Sequence, residues 1–242
     1  MAGRDVRRLA ARASEVTHQA KRDAVARIAA GADAAGIARL LVHEEPFRIS
    51  TGAVESMELG ADVEVMAASG LSNGEADTAH AVAAMRERGV DALVILGGDG
   101  TSRCVARRWA DAPLVPVSTG TNNVFPRMVE PTLAGAAAGL VASGRVALDD
   151  VARPAKVVRI RAPRTDGGIA LVDAVLLRDD FVGNRMPFDP ARIDRALLTI
   201  AAPASVGISP IGGLVEPVLR DDDDGLLVHC NQGPEDRIVQ VA

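Results

Sequence analysis

The residues with chemistry to offer gather in two short loops. Leu93-Val94-Ile95-Leu96 is an apolar run with two β-branched residues and reads as a buried strand. It stops at Gly97-Gly98, followed by Asp99, Gly100 and Thr101. Glycines let a backbone come close to an anion and aim several N–H groups at it. A helix beginning there, suggested by Arg103–Ala110, adds positive potential. Thr101 or Ser102 is expected to cap that helix. The arrangement suits phosphate, yet it carries a carboxylate. Asp99 would repel an anion unless a cation or a reacting proton were also present. It is therefore a candidate for Mg²⁺ coordination or for taking a proton from a hydroxyl. A plain tight turn, with Asp99 capping a backbone N–H, explains the same residues. A second loop argues against that blander reading. Leu114-Val115-Pro116-Val117 ends in Ser118-Thr119-Gly120-Thr121-Asn122-Asn123. Adjacent strands that both end in polar glycine loops form a crevice at their carboxyl ends, where open α/β sheets bind ligands. The Gly97–Thr101 loop is neither a Walker loop nor a Gly-x-Gly-x-x-Gly fingerprint.

The elements that must hold these loops alternate. Helix-like spacing runs over Arg4–Ala30, with a break near Thr17-His18-Gln19. Ala38–Val42 reads as a strand, with His43 in a solvated loop after it. A short helix over Ile49–Leu59 and a strand over Asp62–Ala67 follow. Glu75–Arg88 reads as a helix with Ala79, Val82, Ala83 and Met85 inward and Gly89 as its C-terminal cap. Asp77-Thr78 lies in its first turn, where capping and ligand binding are equally good readings. Thr132–Ser143 is an Ala-rich helix. The alternation implies a parallel sheet with helices on its faces. The texture changes near Ser143–Asp150. Ala155–Ala162, Ile169–Arg178, Ala196–Ala202, Leu214–Leu219, Gly225–Cys230 and Arg237–Ala242 are β-type runs separated by Gly, Pro and Asp, with one helix signal at Pro190–Arg195. The expected fold is an α/β N-terminal domain with a parallel sheet (1–146), then an all-β, sandwich-like C-terminal domain (147–242). The active crevice is expected between them. Asp221–Asp224 reads as a solvated hairpin rather than a metal site.

Composition narrows the function classes. Hydrophobic residues make up 48% of 242 residues, enough for a sizeable core, while aromatics are 2% and leave no base-stacking platform. A net charge of −5 with no basic stripe argues against nucleic-acid binding. No apolar run approaches membrane-spanning length, and the basic N-terminus lacks a signal-peptide apolar stretch. Cys104 and Cys230 are most simply reduced core thiols of a cytoplasmic protein.

At the two loops a family resemblance becomes specific. Gly97-Gly98-Asp99-Gly100-Thr101 matches the signature of the superfamily of NAD kinases, diacylglycerol kinases and sphingosine kinases. Leu96–Ser102 together with Ser118–Pro126 resembles the ATP-NAD kinase-like family, in the branch containing acetoin-catabolism protein X. The likeness runs from Gly3-Arg4-Asp5 to about Gly233. It implies an ATP-dependent kinase, with ATP and Mg²⁺ at the site and NAD or a related small molecule as acceptor, in NADP biosynthesis or acetoin catabolism. It implies that Gly97, Gly98, Gly100 and Thr101 cradle phosphates, and that Asp99 serves the acceptor hydroxyl or Mg²⁺. Thr119, Gly120, Thr121, Asn122 and Asn123 would hold the nucleotide, with Asp77-Thr78 nearby. No resident metal site, nucleic acid or membrane partner is expected, and self-association stays open. Two other readings remain: a lipid-type kinase, and a catalytically weak nucleotide-binding module.

The chain departs from the family pattern at the acceptor side. Val172-Asp173-Ala174-Val175 stands where NAD kinases carry Leu-Asn-Glu-Val. Ser209-Pro210-Ile211-Gly212-Gly213 keeps only the frame of Thr-Pro-x-Gly-Ser-Thr-Ala. The Gly120-Thr121-Asn122-Asn123 loop is more similar to that of the lipid kinases. Similar proteins also open with a strand ending in Asn-Pro. One strand at the start and several elements at the end are expected to lie outside these 242 residues, leaving sheet edges unpaired.

Overall fold

The computed structural model describes residues 16–68, 72, 74–120, 123–162, 165–179, 190–231 and 240–241. The chain divides into two compact units. The first holds the described residues 16–120 and 126–152, and the second 123–125 and those from 153 onward.

The first unit alternates helix and strand: α1 (His18–Ala34), β1 (Arg39–His43), α2 (Ile49–Val54), β2 (Asp62–Met66), α3 (Glu75–Glu87), β3 (Leu93–Gly97), α4 (Asp99–Arg108), β4 (Leu114–Ser118), α5 (Pro131–Ala142) and α6 (Leu148–Val151). Thr17 caps α1, its hydroxyl accepting from Ala20 N at 3.1 Å, so the break expected near Thr17 is a helix start. α1 and α5 meet through glycines rather than side chains. A Cβ on Gly135 would lie 2.0 Å from the Ile28 carbonyl oxygen, and one on Gly31 2.1 Å from that of Thr132. With so few aromatics, burial here comes from close backbone approach of Ala- and Gly-rich helices.

The strands are parallel, as expected, and among the described residues they form two pairs. β1 pairs with β2 from Arg39↔Asp62 to His43↔Met66, and β3 pairs with β4 from Leu93↔Leu114 to Gly97↔Ser118. Each pair has its own core. Ala29, Val42 and Val54 pack around the first; Val82, Leu93, Ile95 and Val105 pack around the second.

The second unit is mainly antiparallel. β5 (Val158–Ala162) and β6 (Thr165–Ala170) form a hairpin. β7 (Asp173–Leu177), β8 (Ile193–Leu198), β9 (Leu226–His229) and β10 (Gln240–Val241) form a sheet in the order β10-β9-β8-β7. Leu198, Ala201, Leu226, Val228 and Cys230 lie at the centre of its core.

Several sequence expectations need correction. Ile169–Arg178 is two strands, because the chain turns at the buried Leu171-Val172. Pro190–Arg192 is a single 3₁₀ turn, and Ile193 already begins β8. The helix from Ile49 ends at Val54. Leu214–Leu219 is not a strand. Pro210 starts the short helix α7 (Ser209–Gly213), and Leu214 is 76% exposed just beyond it. Within it Val218 forms an isolated antiparallel bridge with Ala201. Asp221–Asp224 is therefore an irregular turn before β9 rather than a hairpin between strands. Leu219 N donates to Asp222 at 2.6 Å, and Lys156 Nζ donates to the carbonyls of Leu219 and Asp224.

Candidate nucleotide site

The two glycine loops are brought together by strand register. Gly97 stands opposite Ser118 at the carboxyl ends of β3 and β4, and Thr119 N donates to the Gly97 carbonyl at 3.4 Å. The second loop is folded on itself: Ser118 Oγ donates to Gly120 O at 2.7 Å and accepts from Gly120 N at 3.3 Å. Gly97, Gly98, Asp99, Gly100, Thr101, Thr119 and Gly120 thus all lie in the first unit, around one pair of strand ends. Asn123 is half-buried and belongs to the second unit. Thr121 and Asn122 lie outside the described residues.

The helix after β3 starts earlier than its hydroxyls suggested. Gly98 is the N-cap of α4 and Asp99 its first residue, so neither Thr101 nor Ser102 caps it. Ser102 is fully buried and donates from Oγ back to Gly98 O at 3.2 Å, satisfying itself within the first turn. The first turn of any α-helix leaves N–H groups without helical acceptors, and its dipole favours a negative group there.

The glycines differ in what they make room for. A Cβ on Gly97 would sit 2.8 Å from Thr101 Oγ1, so this glycine is demanded by the protein's own packing. A Cβ on Gly100 would meet nothing within 4 Å. Gly100 also has no positive φ, so no backbone strain requires glycine there. Its lack of a side chain leaves open space over the amino end of α4.

Other polar residues converge nearby. His43, Asp77, Thr78 and Thr101 all line one cavity of the first unit. His43 ends β1 and is half-buried, not in a solvated loop as its sequence context suggested. Burial holds its pKa below the ordinary histidine value, against the opposing pull of Asp77, Glu45 and Glu44. Asp77 fixes the entry to α3, accepting from Ser72 N at 3.0 Å, from Ser72 Oγ at 2.8 Å and from Gly74 N at 3.4 Å. Glu45 holds the entry to α2 in the same way, accepting from Phe47, Ile49 and Ser50 N–H groups.

Arg220 is a residue the sequence did not point to. In the second unit its Nη2 donates to Val124 O at 2.9 Å and Phe125 O at 2.7 Å, and its guanidinium lies 5.2 Å from the Phe125 ring centroid. It thereby anchors the chain just past Asn123. Nothing local marks it, since its partner Phe125 lies 95 residues away.

The residues expected from the family frame at Val172 and Ser209 are built into packing. Ser209 is fully buried, donating to Ile200 O at 2.6 Å and accepting from Ala202 N at 3.2 Å. Val172 is buried, and its carbonyl accepts from Thr199 N at 2.8 Å. Among the described residues no group of three or more His, Cys, Asp or Glu side chains could hold a metal ion. Among the same residues no helix is long and apolar enough to cross a membrane. Cys104 and Cys230 are both buried and free, with burial raising the pKa of each thiol.

Family comparisons cover both units. Residues 4–146 match the ATP-NAD kinase N-terminal domain, and residues 156–242 match the acetoin catabolism protein X C-terminal domain. Acetoin catabolism protein X of Cupriavidus necator is 34% identical over 238 residues, covering 94% of this chain. The chain spans 66% of the length of that relative. No solved structure matches. The chain belongs to the family that joins an ATP-NAD kinase N-terminal domain to an acetoin catabolism protein X C-terminal domain.

Proposed function

We propose that this protein is a cytoplasmic, ATP-dependent phosphotransferase of the NAD kinase-like kind, acting on a hydroxyl of NAD or a related small molecule. One observation carries the reading. Two glycine loops stand side by side at the ends of paired parallel strands, with Gly97 opposite Ser118 and a helix amino end opening over Gly100. Phosphoryl transfer asks chiefly for positioned phosphates and an oriented acceptor. The N–H groups of Asp99, Gly100 and Thr101 supply donors for phosphate oxygens. Asp99, the first residue of α4, takes the acceptor's proton as its oxygen bonds to the γ-phosphorus and the bond to ADP breaks.

Mg²⁺ fits this site as a companion of ATP, not as a resident ion. It is commonly held by one or two carboxylates plus substrate phosphates, and Asp99 supplies one such carboxylate. It would contribute neutralisation of phosphate charge. The carboxylate cannot both coordinate Mg²⁺ with all its lone pairs and accept a proton, so transfer needs one Asp99 oxygen facing the acceptor.

The buried states of Ser209 and Val172 favour a second reading. With those segments committed to packing, the acceptor side offers fewer side chains, as a nucleotide-binding module without turnover would. The experiment is calorimetric titration with Mg-ATP, then incubation with NAD and a panel of hydroxyl compounds, with mass spectrometry of products. A phosphorylated product supports the kinase. Saturable binding with no product from any acceptor supports the module. No binding refutes both.

A further inference from the structure

The second glycine loop is tied at its ends to β4. Ser118 N donates to Arg127 O at 2.8 Å, Arg127 N donates to Pro116 O at 3.3 Å, and Val117 forms a parallel bridge with Arg127. Between these ties residues 123–125 adopt neither helix nor strand. Such a segment has no ladder to set its conformation, so other partners must hold its backbone groups. Arg220 is one such partner.

Its Nη2 reaches two successive carbonyls, Val124 O at 2.9 Å and Phe125 O at 2.7 Å. Those carbonyls belong to adjacent peptide planes. Holding both from one nitrogen therefore restrains the two soft dihedrals of Phe125, which lie between the planes. Pro126 restricts the same residue from its other side. The Phe125 side chain is buried, with its ring centroid 5.2 Å from the guanidinium. Hydrogen bonds from a charged donor are stronger than neutral ones. The backbone that leaves Asn123 is thus held in one arrangement before any ligand arrives.

Arg220 itself sits on a stiff mount. Val218 and Ala201 exchange two backbone hydrogen bonds, at 2.9 and 2.8 Å, and both are buried in the core of this unit. On the other side Asp222 accepts from Leu219 N at 2.6 Å. Lys156 Nζ clasps the same turn through Leu219 O at 2.7 Å and Asp224 O at 2.8 Å. One member of the Asp221–Asp224 run therefore has a local task, which is to fix the turn that carries Arg220.

We propose that Arg220 is a positioning residue for nucleotide binding, ordering the loop so that Asn123 is in place when the ligand arrives. The inference rests on the reading that this loop holds the nucleotide of Mg-ATP. Arg220 touches no reacting atom in this account. It raises the fraction of molecules whose loop is ready, and the apparent Kd is the intrinsic Kd divided by that fraction. If loss of the clasp leaves ~10% of loops ready, ATP binds ~10-fold more weakly. Both bonds come from one nitrogen rather than from the guanidinium fork. An ammonium can therefore replace it, as Lys156 shows by holding two carbonyls.

The test is Mg-ATP calorimetry with backbone NMR order parameters on wild type, Arg220→Met and Arg220→Lys. Methionine keeps much of the alkyl stem and removes the donors and the charge. Arg220→Met should bind ATP roughly 10-fold more weakly, and Arg220→Lys should recover most of that loss. Order parameters at Asn123–Phe125 should fall from ~0.85 to below ~0.6 in Arg220→Met and return to ~0.85 when Mg-ATP saturates it. A clasp with only a structural role would leave ATP affinity unmoved, and ATP would not restore the order. Equal ATP affinity in wild type and Arg220→Met overturns the proposal and leaves the nucleotide reading standing. A lysine variant as weak as the methionine one overturns the carbonyl clasp as the cause. Wild type that binds no Mg-ATP overturns the nucleotide reading, and the proposal with it. If Arg220→Met does not fold, Asp222→Ala loosens the turn with Arg220 still present. Weaker ATP binding at unchanged Tm then supports the proposal, and wild-type affinity overturns it.

Discussion

Gly100→Ala separates a ligand site from a tight turn, because only the ligand site predicts a loss of ATP affinity beside the gain in stability. Gly100 is the second residue of α4, exposed, with no positive φ and no atom within 4 Å of the place an alanine methyl would take. Alanine there relieves the entropic cost of glycine in a helix, a gain of about 0.5–1 kcal/mol. For a chain of this size that is a rise in Tm of about 1–4 °C. If a phosphate comes close to the backbone at this point, the same methyl intrudes on it. Over-filling a fitted space costs about 1–3 kcal/mol. ATP affinity should then fall by roughly 5- to 150-fold, at ~1.4 kcal/mol for each factor of ten. Differential scanning calorimetry and Mg-ATP titration on the same preparation read both quantities. A variant that is more stable and binds ATP as tightly as wild type would refute phosphate contact at Gly100. Gly97→Ala is the control: its Cβ would press on Thr101, so it should lose stability whether or not ATP binds.

Gly135→Ala should destabilise the first unit despite alanine's helix propensity, because the new Cβ would lie 2.0 Å from a backbone oxygen that cannot swing away. The expected loss is about 1–3 kcal/mol by chemical denaturation, and an unchanged midpoint would contradict the close α1–α5 packing. His43 makes stability fall on acidification. Its folded pKa is held below the unfolded value by burial, so the unfolded chain takes up the proton first as pH drops through ~6.5. His43→Asn should therefore flatten the decline of Tm between about pH 7 and pH 5.5, and an identical decline in the variant would remove His43 as its cause.

The parts of the site that can be read from sequence are those made locally. A strand, two glycines, a carboxylate and a helix follow one another within Leu93–Arg108, so Asp99 and Gly100 fall where their order places them. The pairing of Gly97 with Ser118 is also accessible, since a single crossover separates β3 from β4. The helix start at Gly98 is hidden because Thr101 and Ser102 are better capping types, yet Ser102 turns inward to Gly98 O. Arg220 cannot be found from its neighbours, because what it does is set by carbonyls at Val124 and Phe125. His43 misleads for a related reason: its burial comes from the fold around the end of β1, not from the Glu-Glu-Pro that follows it. Leu214–Leu219 has the apolar look of a strand, but α7 takes up the preceding residues and leaves Leu214, Val215 and Leu219 exposed.

The most direct measurement is phosphate transfer from Mg-ATP by wild type and Asp99→Asn, paired with ATP affinity for each. Asparagine keeps the size of the side chain and removes its charge and basicity. If Asp99 takes the acceptor proton, turnover should fall by roughly 10²–10⁴-fold, while ATP affinity changes little because the backbone N–H groups of α4 remain. An Asp99→Asn protein that transfers phosphate as fast as wild type would contradict the role given to Asp99 and the chemistry assigned to its loop.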